Sequence, residues 1–170
     1  PVSATNTGNR TQTRRQTTRR SEAWCRTQPA LQVLDQIPAA TLFTLVDLGP
    51  RVIAITHHSV LAGPYHRNEK AILDIHHAFD GSPEQFRKIA AEHGATYFLF
   101  CPNFPEGTIY QRRSPRGFYA RVSRGEGFPF LTPVQLDFAG ELPYTLYRIE
   151  SEADVPPLPT IGKKRSKKRR

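Results

Sequence analysis

The sequence predicts one small α/β domain, built on a mixed sheet with about three helices and flanked by basic tails. Three observations carry that expectation. Short β-branched apolar runs alternate with stretches of helical period, helix punctuation is strong between residues 68 and 94, and positive charge is gathered at the two ends.

In chain order, residues 1–23 are rich in Thr, Arg, Asn and Gln with hardly an apolar side chain, so they are expected to be disordered. The apolar run 41–47 (TLFTLVD) reads as a strand, Gly49-Pro50 as a turn, and 51–56 (RVIAIT) as a second strand or the start of a short crossover. A further short apolar stretch occupies 59–63. Asn68 can cap a helix from Glu69 to Phe79, with Ile72, Ile75 and Phe79 on one face and Gly81 at its end. Ser82, Pro83 and Gln85 form a capping-box start for the next helix. That helix should bury Phe86, Ile89, Ala90 and His93 and stop at Gly94. The continuous apolar run 95–101 has the pattern of a strand covered on both faces. Ser114-Pro115 opens a third helix carrying Phe118, Tyr119 and Val122, and strands near 131–138 and 144–149 close the unit. The foldable part is therefore 24–150, with 151–170 a Pro-rich linker and basic tail. A chain of 170 residues suits one such domain.

Charge sharpens this partition. The net +9 divides into +5 over residues 1–26, −3 over 27–162 and +7 over the run KKRSKKRR at 163–170. A nucleic-acid-binding domain normally carries its basic stripe on the folded surface, whereas here the excess lies in the tails. No run approaches the ~20 apolar residues that span a bilayer. The chain holds no methionine and opens at Pro1, which is expected of a piece of something longer or of a processed chain. Two cysteines exclude a disulfide-dense mini-protein and a four-cysteine zinc site.

Candidate chemistry concentrates in two places. The run Ala62-Gly63-Pro64-Tyr65-His66-Arg67-Asn68 lies between a strand and a helix, where α/β domains bind ligands. Tyr65, His66, Arg67 and Asn68 offer a hydroxyl, an imidazole, a guanidinium and an amide, a set suited to phosphate, pyrophosphate or clustered sugar hydroxyls. The plainer reading has Asn68 capping the helix and Arg67 pairing with Asp47 or Glu69; both stand. The histidines are His57-His58, His66, His76-His77 and His93. A zinc site would need His57 or His58 to meet His66 and His76 or His77, with Asp74 or Asp80 as carboxylate. No HExxH or CxxC spacing supports it, and polar capping accounts for these residues, so no metal is expected. His57 and His58 join Tyr65–Asn68 as candidate ligand-facing residues. No GxSxG, P-loop or GxGxxG is present, and neither a catalytic residue nor a cofactor is assigned. Cys25 and Cys101 read as a surface thiol and a buried small hydrophobe in a reducing compartment, or as a disulfide in an oxidising one.

Asp47-Leu48-Gly49-Pro50, the run from Ala62 to Asn68, and Glu92-His93-Gly94-Ala95-Thr96-Tyr97 together carry a resemblance. Over 24–150 the chain resembles the C-terminal soluble domain of uncharacterised bacterial integral membrane proteins related to polyprenyl-phosphate-dependent glycosyltransferases. Its most specific part is GPYHRN, and it does not cover the basic tails. Such enzymes place their catalytic acids on loops between membrane helices that this chain lacks, so no catalytic residue carries over. The resemblance implies a non-catalytic periplasmic accessory domain that binds a lipid-phosphate sugar donor or acceptor. Its parent would sit in the bacterial inner membrane. The implied partners are the parent's transmembrane region and, through the basic tail, an anionic membrane surface. It also favours the disulfide between Cys25 and Cys101, because the periplasm is oxidising. Two alternatives remain: a nucleic-acid-associated protein gripping phosphates with its tails, and a histidine-based metallohydrolase.

Overall fold

The computed structural model describes residues 24–62 and 69–151. The expectations for both tails, 1–23 and 152–170, and for residues 63–68 lie outside the described residues. The elements are α1 (Gln28–Gln32) running into a 3₁₀ turn (Val33–Gln36), β1 (Thr41–Phe43), α2 (Gly49–Ile55), β2 (Ser59–Val60), α3 (Glu69–Asp80) and α4 (Pro83–Glu92). They continue with β3 (Ala95–Phe100), α5 (Pro105–Arg113), α6 (Phe118–Ser123), β4 (Leu131–Pro133) and β5 (Thr145–Ile149).

The five strands form one mixed sheet in the order β2-β1-β3-β5-β4. β1 is parallel to both β2 and β3, while β5 is antiparallel to β3 and β4. β3 sits at the centre, which explains its largely apolar character: Phe98 and Leu99 are fully buried on opposite faces. An aromatic cluster fills one side of the sheet. Phe86 stacks on Phe118 at 4.1 Å between centroids, and Phe79 meets Phe43, Tyr110 and Tyr119 at 5.1–5.2 Å. Aromatic pairs at such separations add to plain burial.

The Asn68 cap lies outside the described residues, and from Gly81 to Gly94 the punctuation appears as read. α3 ends at Asp80 before Gly81, Ser82 Oγ accepts the Gln85 N–H at 3.1 Å, and Gly94 takes a φ of +67° that favours glycine. His93 departs from the expected buried stripe. It follows α4 as its C-cap, and its Nε2 meets Asp74 Oδ2 of α3 at 2.7 Å.

Of the two readings of 51–56, the second strand fails and the start of a crossover holds, and Gly49-Pro50 opens that crossover rather than forming a separate turn. Both stretches belong to α2, with Pro50 in its first turn. Strands β1 and β2 are parallel, so the chain must cross over between them, and a helix is the usual means. Burial follows the helical period: Val52 is fully buried, while Ile53 and Ala54, which a strand would separate, both face outward. Helix α5 was not anticipated, and the third expected helix begins at Phe118 rather than Ser114. The strand expected over 41–47 stops at Phe43. The α/β class with a mixed sheet holds, with α1, α2 and α5 added to the three helices read from sequence. No helix of the described residues is long and apolar enough to cross a membrane.

Candidate functional site at the carboxyl edge of the parallel strands

Strand order locates the place where an α/β sheet ordinarily binds ligands. The chain leaves β1 toward β2 on one side and returns to β3 on the other, so the connections diverge at the carboxyl ends of β1 and β3. Three stretches meet along this edge: Thr44–Gly49 after β1, Leu61 and Ala62 after β2, and Cys101–Phe104 after β3.

Gly49 brings the first two together. A Cβ there would stand 3.1 Å from the Ala62 carbonyl and 3.3 Å from Val60 Cγ2, closer than nine in ten real contacts. Asp47-Leu48-Gly49-Pro50 thus lies against the residue that opens the polar run 62–68. The polar residues themselves, Tyr65, His66, Arg67 and Asn68, lie outside the described residues.

Between β1 and β3 the crevice is filled from within. Glu106, in the first turn of α5, is 7% exposed. Its carboxylate accepts the N–H of Val46 at 3.0 Å, the N–H of Asp47 at 2.9 Å and the hydroxyl of Tyr110 at 3.0 Å. Burial holds the Glu106 carboxyl above the usual range, opposed by these hydrogen bonds. Burial likewise raises the Tyr110 hydroxyl, and the neighbouring Glu106 charge adds to it. A carboxylate seated on two successive backbone amides occupies the position where such a fold would hold a ligand anion. Sequence reasoning missed Glu106 although Pro105-Glu106 is a helix-start signal. Asp47, by contrast, is exposed and free to meet a partner.

The edge is also covalently stapled. Cys25 and Cys101 form a disulfide with a Cα–Cα distance of 6.4 Å. The Tyr119 hydroxyl donates to the Cys101 carbonyl at 3.4 Å, and the Tyr144 hydroxyl donates to the Ala30 carbonyl at 2.5 Å.

The histidines do not gather here. His57 and His58 precede β2 and so lie at its amino end, opposite the run 62–68. His58 is 4% exposed, and its Nδ1 accepts the Ala40 N–H at 3.1 Å. Its Nε2 must then carry the proton and donate to the Leu34 carbonyl at 2.6 Å. His57 Nε2 stands 2.9 Å from the Ile37 carbonyl, and the His57 N–H donates to Asp35 Oδ1 at 2.9 Å. Neither ring therefore faces a ligand at the carboxyl edge. Ligand atoms of Asp35, His57 and His58 do lie within 4.8 Å of one another. The trio does not fit a metal, because His58 has no free lone pair to give. Of the other proposed ligands, Asp74 pairs with Lys70 and His93, while Asp80 pairs with Arg113 at 2.6 Å. His76 Nδ1 accepts from Arg113 at 3.1 Å, and burial followed by the Arg113 charge lowers its pKa. Among the described residues the set that a zinc site would need is not brought together, and His66 lies outside them.

No protein-family model matches the sequence, and no curated protein matches it. Solved structures of similar fold exist. One of them is the C-terminal globular domain of an oligosaccharyltransferase from Archaeoglobus fulgidus. The likeness has a TM-score of 0.52 at 10% identity, over 72% of this chain and 96% of that one. At such identity the shared feature is the α/β fold itself.

Proposed function

We propose that this chain is a non-catalytic accessory domain of a membrane-bound glycosyltransferase-like protein. Its carboxyl edge would face a lipid-phosphate sugar donor or acceptor. The observation that carries the reading is the fold shared with nearly the whole length of an oligosaccharyltransferase C-terminal globular domain. The resemblance of Asp47–Pro50, 62–68 and 92–97 to soluble domains of polyprenyl-phosphate-dependent glycosyltransferase relatives supports it independently. The packing of Gly49 on Ala62 adds a physical reason, since it brings the loop that carries the exposed Asp47 against the residue three positions before Tyr65 in sequence. A guanidinium, an imidazole and a hydroxyl there would grip a phosphate, while Asp47 would accept sugar hydroxyls. The partner is the transmembrane part of the parent. The domain would face the outside of a bacterial inner membrane, with its cationic tail near anionic headgroups.

Nanodiscs containing a long-chain polyprenyl phosphate should bind the full chain saturably, and Arg67→Ala should weaken binding by about ten-fold or more. Equal binding to nanodiscs without that lipid, or an unchanged affinity for the variant, overturns the reading.

A further inference from the structure

The folded part of this chain is net negative, yet residues 112–124 hold five arginines and no acid: Arg112, Arg113, Arg116, Arg121 and Arg124. They come together at the loop between α5 and α6, where a cleft of about 390 Å³ opens against the turn between α3 and α4. Its walls include Asp80, Ser82, Ser114, Arg116, Gly117 and Arg121. None of these belongs to the carboxyl edge described above; the cleft alone points to an anion, and the choice of a sugar phosphate rests on the function proposed above.

The charges there do not cancel. Asp80 is answered by Arg113 at 2.6 Å, and Glu126 by a two-pronged contact from Arg121 at 2.6 and 2.8 Å. Arg124 Nη1 donates to the Pro115 carbonyl at 2.7 Å, which fixes the rim of the cleft. Arg116 is exposed and has no hydrogen-bond or ion-pair partner among the described residues. Glu84 also acts on Arg121, so four arginines face three acids and leave a local excess of one positive charge. The Ser114 hydroxyl has no hydrogen-bond partner among the described residues, and the Ser82 hydroxyl, which accepts from Gln85, keeps its proton to donate. The Arg121–Glu126 pair is part-exposed on both sides, so a ligand oxygen can share the guanidinium at little cost.

We propose that this cleft binds the phosphate group of a phosphorylated sugar. Arg116 supplies the uncommitted guanidinium, which matches phosphate geometry with two parallel N–H donors. Arg121, shared with Glu126, adds a further N–H donor, and Ser82 and Ser114 donate hydroxyl hydrogen bonds. The volume is larger than a lone phosphate needs and lies within the range of small-molecule sites, leaving room for a hexose ring. Free and lipid-linked sugar phosphates present the same chemistry here.

The test is an amide-resonance titration of the isotope-labelled full chain with glucose 1-phosphate, inorganic phosphate and glucose. The same chain is then added to vesicles of phosphatidylcholine with and without a polyprenyl phosphate sugar. Glucose 1-phosphate should shift amides at 81–82, 114, 116–117 and 121, inorganic phosphate should shift the same set more weakly, and glucose should shift none. Arg116→Gln, whose side chain is exposed and unpartnered, should keep the aromatic-core resonances and weaken glucose 1-phosphate binding by about ten-fold. Binding of the glycolipid vesicles with the same loss in Arg116→Gln extends the site to lipid-linked sugars. Shifts confined to the tails, equal affinity in Arg116→Gln, or equal response to glucose overturns the proposal. Binding to vesicles alone that Arg116→Gln leaves unchanged also overturns it.

Discussion

Glu106 does at the scale of one residue what a bound anion would do in a ligand-binding α/β sheet. Its two oxygens take up two backbone N–H groups that the chain exposes on leaving β1, and the Tyr110 hydroxyl completes the set. Glu106→Ala should therefore cost about 2–4 kcal/mol, because three donors lose their acceptor while the site stays mostly buried. Glu106→Gln keeps the shape but turns an NH₂ toward one of the two amides, so it should recover only part of that loss. Urea midpoints for the two variants at unchanged denaturant slope measure both effects. The pH dependence has a definite sign. Burial raises the folded pKa above its ordinary 4.5, so the folded protein holds this proton more tightly than the unfolded chain. The stability it contributes is present below about pH 4.5 and is lost as pH rises through the folded pKa. Asp47 across the site works in the same direction through charge repulsion. Asp74, lowered mainly by its hydrogen bonds to Lys70 and then His93, acts oppositely and below its ordinary 3.8, so the two windows are distinct. Wild-type protein should lose stability relative to Glu106→Gln between pH 4.5 and neutrality; parallel curves would refute the assignment.

At the scale of elements, α5 and α6 are locked by an approach that only glycine permits. A Cβ on Gly107 would meet the Tyr119 hydroxyl and come within 2.7 Å of its ring carbons. Tyr119 is 1% exposed and packs among Phe79, Phe100 and Tyr110, so it has nowhere to go. Gly107→Ala should gain about 1 kcal/mol of helix propensity and still destabilise the protein by about 1–3 kcal/mol net. A thermal melt that rises instead of falling would contradict this packing. The same elements show what sequence reveals and what it hides. Helix α4 was readable because Ser82, Pro83, Gln85 and Gly94 punctuate it locally. Strand β3 was readable because burial on both faces over Phe98–Phe100 leaves an apolar run broken only by the exposed Thr96 near its start. Segment α2 was legible as the possible start of a crossover but not as a helix, since Val52, Ile53 and Ile55 favour strands in isolation. Helix α5 was hidden by Gly107 and by a weak amphipathic pattern, and with it went Glu106. The candidate site was half legible. The signal at Gly49-Pro50 marked where the chain leaves β1, whereas the internal anion from α5 and the inward turn of His58 arise from contacts distant in sequence.

Across the whole molecule, the Cys25–Cys101 bond ties the segment ahead of α1 to the end of the central strand, closing a separation of 76 residues. Both cysteines are fully buried, and the joined segment also packs Ala30, Leu31 and Leu34 into the core. In the chain-entropy picture a closed loop of that size stabilises by about 4 kcal/mol, acting on the unfolded chain rather than on any folded contact. Reduction, or replacement of both cysteines by alanine, should lower the urea midpoint by an amount of that order. The folded sheet should survive, because the Tyr144–Ala30 hydrogen bond and the α1 side chains hold the segment without the bond. An unchanged midpoint would mean that the unfolded chain is already compact around this loop. Loss of the fold would mean that α1 depends on the staple for its position. Since disulfides persist in oxidising compartments and are rare in reducing ones, the same measurement bears on where the domain works. A loss of several kcal/mol on reduction would fit the outward-facing placement proposed above, and a negligible loss would remove that support.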